Sequence, residues 1–315
     1  MTRRAALIFV ALGVAWGIPY LLIKVAVAEL PPETLVFART ALAAVVLLPI
    51  AFARGAVLPV LRRWRPLLAY TVLEICIPWL FLTRAEQVLP SSTTGLLIAA
   101  VPVVASVLAV LGSRITGQAR ERLGAAGTGG LLLGLLGVAA LVGLDVGGSS
   151  VPAVAQVGLV VLGYAIGPMI LRRYLSDLPG IGVVAVSLAG AALAYLPMVL
   201  AGPGLPTTLP SANVLGSVIV LALVCTATAF LLLFALVNEI GPVRATAITY
   251  LNPAVAVVAG VAVLHETVTI WTGIGFALVL TGSFLVTRRP AATPIDDRAA
   301  PQPTTSPIAT PAQAC

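Results

Sequence analysis

Long apolar runs alternate with short polar connections along most of the chain, and the runs have similar lengths. A helix needs about 20 apolar residues to cross a bilayer. Runs of this kind predict ten spans, at 5–28, 33–53, 67–88, 91–112, 123–143, 151–171, 181–201, 213–237, 242–264 and 268–287. We therefore expect an all-α polytopic membrane protein with ten transmembrane helices.

The composition leads to the same class of protein. Of the 315 residues, 60% are hydrophobic and 9% are charged, whereas a soluble domain carries about 25% charged residues. A chain this apolar cannot cover a water-facing surface, so we expect a lipid bilayer around it. Residues 290–315 differ, because proline, alanine and threonine dominate them. Their composition predicts a disordered cytoplasmic tail.

The distribution of basic residues predicts the orientation. A net charge of +7 would suggest a nucleic-acid partner in a soluble protein, but here the arginines lie in short loops, as the positive-inside rule requires. Only Arg84 and Lys24 lie near the opposite ends of the spans. Both termini are therefore expected in the cytoplasm, with the protein in the plasma (inner) membrane. The predicted cytoplasmic set is Arg3, Arg4, Arg54, Arg62, Arg63, Arg65, Arg114, Arg120, Arg122, Arg172, Arg173, Arg288 and Arg289.

The second half of the chain repeats features of the first. A shift of 148 positions pairs Leu30-Pro31 with Leu178-Pro179 and Lys24 with Arg172, and a shift of 151 pairs Pro102 with Pro253. Repeats of five helices must run in opposite directions, because five is odd. Inverted repeats recur in secondary transporters, whose substrate site lies near the midplane between them. We predict a first repeat at 1–144, a second at 145–289 and the tail at 290–315.

A specific resemblance lies in residues 241–289. A helix with Pro253 at its middle runs to the corner Leu264-His265-Glu266, and a glycine-rich final helix follows. This stretch resembles the C-terminal half of an EamA-type repeat of the drug/metabolite transporter superfamily, with His265 in the place of the usual glycine. The first half departs from the pattern, since Ser113 stands where Glu266 stands in the second. The resemblance implies a carrier of amino acids, drugs, nucleotide-related compounds or other metabolites.

Two ionisable residues fall well inside predicted spans. Burying such a group in hydrocarbon costs about 2.5 kcal/mol or more on insertion scales. Arg39 is a candidate for attracting an anionic or zwitterionic substrate, and Glu74, which we take as the only carboxylate well inside a span, is a candidate for binding a proton or an amine. The alternatives are that each compensates a partner's charge, or that Arg39 extends outward to the lipid headgroups.

Prolines and aromatic residues supply the other candidates. A proline inside a helix removes a hydrogen bond and frees a carbonyl group, which membranes tolerate where the backbone faces protein or a wet cavity. The proline candidates could equally be kinks that serve packing, and the aromatic candidates could be ordinary core residues. The helix-break candidates are Pro19, Pro78, Pro102, Pro168 and Pro253, and the cavity-lining candidates are Trp16, Tyr20, Tyr250 and Asn252.

The predicted function is a secondary carrier that exports a small organic metabolite or drug by alternating access. An uptake carrier and a proton-coupled antiporter of the same fold stay open as alternatives. A membrane-embedded enzyme is disfavoured, because the chain has one histidine and none of the usual catalytic motifs. A channel is disfavoured because the sequence has no charged rings. We predict no cofactor and no metal, and the sequence leaves the substrate and the oligomeric state open.

Overall fold

The computed structural model describes residues 2–116, 125–145, 151–202, 206, 208–241, 248–267 and 269–287. In these residues all regular structure is helical. The predicted tail at 290–315, and the beginning of the ninth predicted span at 242–247, lie outside the described residues.

The helices follow the predicted apolar runs closely. We number the long helices in chain order and leave a short one at Val57–Arg62 unnumbered. Their bounds are α1 Arg3–Ala26, α2 Pro32–Ala53, α3 Trp64–Glu86, α4 Ser91–Ile98 continued by Val101–Thr116, α5 Ala125–Asp145, α6 Val151–Leu175, α7 Gly180–Ala201, α8 Ala212–Ile240, α9 Ile248–Leu264 and α10 Ile270–Thr287.

Seven of these helices are long and apolar enough, over the described residues, to cross a membrane. They are α1–α4 and α6–α8. The apolar parts of α5, α9 and α10 are shorter. The expectation of a polytopic all-helical protein is therefore confirmed for seven spans, and the full set of ten stays a prediction.

Several helices change geometry close to a proline. Helix α1 is interrupted at Ile18, directly before Pro19, and α4 is interrupted at Ala99 and Ala100 before Pro102. Helix α3 widens into a π-helical segment, Thr71–Cys76, before Pro78. Because proline lacks an N–H group and its ring crowds the preceding turn, these changes let the helix continue without a backbone clash.

Helix packing has the pattern expected of two related halves. Helix α2 packs against α7 and α5 packs against α10. In both cases a helix of the first half contacts its predicted equivalent in the second half. Helix α1 contacts α8 and α9, and its counterpart α6 contacts α3 and α4. π-helical segments occur at corresponding places, Thr71–Cys76 in α3 and Leu223–Thr228 in α8. The interior of the molecule therefore lies between the halves rather than within either one.

Glycines allow the closest of these contacts. A Cβ atom at Gly163 of α6 would lie 2.4 Å from the Leu73 carbonyl oxygen of α3, and one at Gly17 of α1 would lie 2.4 Å from Val255 of α9. Backbones approach this closely only where no side chain intervenes. Gly163 and Gly17 thus each allow close contact between two helices of the same chain.

Candidate functional site

Arg39 lies inside the protein, where helices from both halves meet. Its Nε donates to the Thr226 hydroxyl of α8 at 2.9 Å, and its Cζ lies 3.8 Å from the centre of the Trp79 ring of α3. Only 7% of Arg39 is exposed, so the alternative in which it extends outward to the headgroups is wrong. A cation over an indole face is attracted by the negative face of the ring. Trp79, which was not among the candidates from the sequence, therefore supports this charge.

Two tyrosines lie near Arg39, and Cys225 and the Glu86 carboxyl are also within electrostatic range of it. Tyr20 of α1 and Tyr164 of α6 lie within electrostatic range of the Arg39 guanidinium group and of each other. Tyr164 packs in the same cluster as Trp79, and Tyr20 lies close to Gly95 of α4. The described ion pairs do not include Arg39. It is therefore a buried cation among polar and aromatic side chains. We call Arg39, Trp79, Thr226, Tyr20 and Tyr164 the arginine cluster.

Glu74 lies outside the arginine cluster. It is the fourth residue of the π-helical segment of α3, and its Oε2 atom is buried without a hydrogen-bond partner. A Cβ atom at Gly167 of α6 would lie 2.0 Å from that oxygen, so the carboxyl group rests against the bare backbone of α6. Glu74 and Arg39 form no ion pair. The two groups are therefore separate features.

The other cavity-lining candidates divide between different contacts. Trp16 packs edge-on against Phe230, with ring centres 5.9 Å apart, which places it between α1 and α8. The Tyr250 hydroxyl donates to the Ser283 carbonyl of α10 at 3.2 Å. Asn252 lies against α1, and its Oδ1 is buried without a partner. Of this group, only Tyr20 joins the arginine cluster.

The proline candidates are not equivalent. Pro19, Pro78 and Pro253 are buried, Pro102 is half-buried, and Pro168 is exposed on the outside of α6. An exposed proline cannot line an interior space. For Pro168 the exposed ring favours the alternative of a kink that serves packing.

A second buried acid was missed by the sequence analysis. Glu86, at the end of α3, is 0% exposed, and neither of its carboxyl oxygens has a hydrogen-bond partner. Nearby, the Lys24 ammonium group donates to the carbonyl oxygens of Glu86 at 2.7 Å and of Leu89 at 2.8 Å. Glu74 is therefore not the only acid of α3 with a buried carboxyl oxygen, although Glu86 lies at the end of its helix rather than well inside the span. Because Glu86 lies near the end of a predicted helix, its side chain was expected to be exposed. The adjoining helices cover it instead.

The corner that carries the family resemblance makes a contact between the halves. His265 has a φ of 54°, the left-handed conformation that glycine adopts most easily, which fits its place in the motif. Glu266 accepts hydrogen bonds from the backbone amides of Ser91 at 2.7 Å and Ser92 at 2.9 Å, at the start of α4. Burial raises the pKa of the Glu266 carboxyl, but these hydrogen bonds outweigh burial and hold its pKa below the usual value.

Pockets open at one end of the molecule. This is the end where α1 joins α2, α3 joins α4 and α9 joins α10, and we call it the outer end after its predicted side. One pocket of about 490 Å³ is lined by Gln87, Gln156 and the ion-paired Glu33 and Arg84. Another of about 360 Å³ is lined by Thr34 and Glu33. Arg39 lines neither pocket. The arginine cluster is thus closed off from these openings.

Ion pairs hold the opposite end. Arg63, between the short helix and α3, forms a bidentate pair with Asp177 at 2.7 Å and also donates to the Tyr174 carbonyl. Within the described residues, no group of three histidine, cysteine or acidic side chains is placed to hold a metal ion. The chemistry available inside the protein is therefore that of a buried cation, aromatic rings and unpaired carboxyl groups.

Comparison with known proteins places this architecture in a family. The model of the EamA-like transporter family matches residues 3–143 and again residues 152–288. The inner membrane transporter YedA of Escherichia coli is 27% identical over 296 residues, covering 90% of this chain and 93% of YedA. The transporter YvbV of Bacillus subtilis is 25% identical over 304 residues, covering 94% and 97% of the two chains.

One solved crystal structure has the same fold. It aligns with a TM-score of 0.63 at 20% sequence identity and covers 91% of this chain and 98% of its own. Matches of the family model to both halves, over an all-helical body built of membrane-length apolar helices, determine the class of the protein. The chain belongs to the EamA-like transporter family, and it is a membrane transporter of a small-molecule substrate rather than an enzyme.

Proposed function

We propose that the protein is a secondary carrier that exports a small organic anion or zwitterion across the plasma membrane, with the substrate bound at the arginine cluster. The observation that carries the proposal is the state of Arg39, which is buried yet has no acidic partner among the described ion pairs. A buried cation without an ion-pair partner is costly, and such residues inside a membrane mark substrate paths by default. A negatively charged substrate would supply the missing charge.

The geometry of the guanidinium group suits a carboxylate. Its Nε is occupied by Thr226, whereas a carboxylate or phosphate can take the remaining Nη1 and Nη2 donors as a two-pronged partner. Trp79 on one face of the group fixes its orientation, and Tyr20 and Tyr164 offer hydroxyl groups for the rest of the substrate. Side chains of this kind select for charge and for size.

Alternating access about an inverted pair of repeats would expose the arginine cluster to each side in turn. The packing of α2 against α7 and of α5 against α10 supports this arrangement, in which the first repeat comprises α1–α5 and the second α6–α10, with both termini in the cytoplasm. Opening the outer end would separate Glu266 from α4, and opening the opposite end would separate Arg63 from Asp177.

Glu74 is the proposed coupling residue for a proton. Its buried, unpaired Oε2 favours the neutral acid while the group is shielded from water. If transport exchanges substrate for a proton, Glu74→Gln abolishes the effect of a pH gradient on transport and leaves substrate binding in place. A gradient effect of wild-type size in that variant would exclude Glu74 as the coupling residue.

The experiment that tests export compares metabolites inside and outside cells that overproduce the protein. A compound that accumulates outside with the wild type, but not with an equally abundant Arg39→Ala variant, would identify the substrate class. Arg39→Lys is the charge-conserving variant and should export weakly, because a lysine cannot form the two-pronged contact. Ser187→Ala is a matched control, since Ser187 is a buried residue of α7 at the position that repeats Arg39.

The opposite results would exclude the proposal. Equal export by the wild type and Arg39→Ala would remove Arg39 from the substrate site. If overproduction changes no metabolite outside the cells, uptake by the same fold becomes the favoured function, and accumulation of a labelled compound inside the cells then measures it.

A further inference from the structure

Charged side chains from distant parts of the chain hold the turn between α3 and α4. Lys24 of α1 donates to the carbonyl oxygens of Glu86 and Leu89, at 2.7 and 2.8 Å. Carbonyl groups at the end of a helix have no partner within the helix, so the ammonium group of Lys24 satisfies the end of α3. The α3 side of the turn thus depends on one lysine.

The α4 side of the turn depends on an acid from the other half. Glu266 accepts the amides of Ser91 and Ser92, and Gly260 leaves room for it, since a Cβ atom there would lie 2.5 Å from Glu266 Oε2. Amides at the start of a helix also lack partners within the helix, and a carboxylate suits the positive end of the helix dipole. We call Lys24, Glu86 and Glu266, with the turn they surround, the outer clamp.

The carboxyl group of Glu86 lies inside the outer clamp without a partner of its own. Glu86 is 0% exposed, both of its oxygens lack hydrogen bonds, and it forms no ion pair within the described residues. The groups that act on it electrostatically are Lys24 of α1, Arg39 of α2, Tyr20 of α1 and Glu266 of the corner. An ionised carboxylate buried without donors is strongly disfavoured. The closed clamp therefore suits a protonated Glu86.

We propose that Glu86 is a second proton-binding site, separate from Glu74, and that release of its proton opens the outer clamp. When the O–H bond of the Glu86 carboxyl breaks, the proton passes to water at the outer end. The carboxylate that is left attracts the Lys24 ammonium group away from the two carbonyl oxygens that it holds. Loss of these hydrogen bonds frees the end of α3. This inference rests on the proposed alternating access, because it assigns a trigger to the outer opening.

Glu74 is the natural comparison for Glu86. Both are acids of α3 with a buried, unpaired carboxyl oxygen. Glu74, however, rests against Gly167 of α6 and lies in the middle of its helix. Glu86 adjoins a lysine that holds carbonyl groups of the same turn. Only at Glu86 does a change of protonation offer a nearby cation a new partner. The matched control is Glu29→Gln, because Glu29 is an exposed acid of the outer end to which no role in binding or coupling is assigned.

The experiment measures the opening of the outer end in liposomes that contain no substrate. Single-cysteine proteins carry alanine at the three native cysteines and a reporter, Thr94→Cys, at a residue of α4 that is 0% exposed. Val88→Cys, at a residue that is 57% exposed, corrects for the effect of pH on thiol reactivity. The quantity is the labelling rate of the Thr94 reporter by a membrane-impermeant maleimide, divided by that of the Val88 reporter.

The expected ratio rises as the pH on both sides of the membrane is raised together from mildly acidic to mildly alkaline, in the wild type and in Glu29→Gln. In Glu86→Gln, whose side chain resembles the neutral acid, the ratio stays low and constant. Lys24→Gln raises it at every pH by about tenfold or more, since hydrogen bonds to a charged group are worth roughly 1.5–3 kcal/mol. Equal elution in size exclusion identifies the variants that fold.

A pH-dependent rise that persists in Glu86→Gln overturns the proposal, and so does a constant ratio in the wild type. A rise that persists in Glu86→Gln but disappears in Glu74→Gln would assign the trigger to Glu74 and overturns the proposal as well. Because neither substrate nor gradient enters this measurement, its failure is distinct from a failure of the export function, which the metabolite comparison tests.

Discussion

Glu74 of α3 and Thr226 of α8 hold the same place in the two halves of the molecule. Each is the fourth residue of a π-helical segment, and the second segment begins 152 positions after the first, at 223 against 71. Thr226 accepts a hydrogen bond from the buried Arg39, whereas Glu74 carries an unpaired acid against the backbone of α6. The two segments therefore have the same backbone conformation and differ in the charge of the side chain at this position.

This difference explains why symmetric packing can support an asymmetric site. The repeat shift of 148 pairs Arg39 with Ser187, a buried serine whose hydroxyl lacks a partner. Equivalent positions of the two halves thus carry different polar groups. Ser187 stands where the first half has Arg39, and Thr226 stands where it has Glu74. Placing a buried cation and a buried acid apart avoids their mutual neutralisation, and each stays available for a ligand or a proton.

The largest expected effect comes from making the two π-helical segments alike. Thr226→Glu places an acid beside Arg39, and an ion pair in the interior removes the free cation. We expect export of an anionic substrate to fall by about ten- to hundredfold, the range of a lost hydrogen bond to a charged group. Transport of the identified substrate into or out of liposomes measures it.

Thr226→Gln is the neutral control for this change, because a glutamine side chain has nearly the same size as that of glutamate but carries no charge. If both variants transport at the wild-type rate, the charge of Arg39 has no role in transport. If both fail equally, the site depends on the shape of residue 226 rather than on the free cation.

The next largest effect tests the contact of α6 with the π-helical segment of α3. Gly163→Ala would place a Cβ atom 2.4 Å from the Leu73 carbonyl oxygen and 2.6 Å from Pro78, and neither can move freely. Overpacking of this kind costs about 1–3 kcal/mol, so the midpoint of thermal unfolding in detergent should fall. Gly158→Ala lies on the same helix with no neighbour within 4 Å, and its unfolding midpoint should stay equal or rise. Equal midpoints for the two variants would show that α3 and α6 separate more than the structure indicates.

The smallest expected effect concerns the corner of the second half. Glu266→Gln weakens the contact with α4, and loss of a helix cap costs about 0.5–2 kcal/mol. Because the pKa of Glu266 is held below its usual value, its stabilising contribution is fully present above the ordinary pKa of about 4.3. That contribution is lost as the pH falls through the lowered value.

The measurement is the unfolding midpoint of the wild type and Glu266→Gln at several pH values. The wild type should be the more stable near neutral pH, and the difference should shrink in strong acid. A difference that grows with acidification has the wrong sign for a carboxylate cap and contradicts this role of Glu266.

The sequence offered Arg39 and Tyr20 of the arginine cluster as candidates, but it did not offer Trp79, Thr226 or Tyr164. The depth of Arg39 in an apolar run marked it as costly to bury, and the structure places it in the interior. Its partners Trp79 and Thr226 come from helices 40 and 187 positions away. Local periodicity contains no information about such pairs, and an apolar helix gives little contrast between its lipid-facing and protein-facing sides.

The sequence by itself determined the class of the protein. Apolar runs of membrane length make helices because every backbone group must find a partner within the bilayer, and the corner motif with the family match established a transporter. The tertiary structure decided which polar groups meet. It placed Arg39 against Trp79 and buried Glu86 beside Lys24. Desolvation and hydrogen bonding depend on the helices that cover a residue. Those helices come from distant parts of the chain.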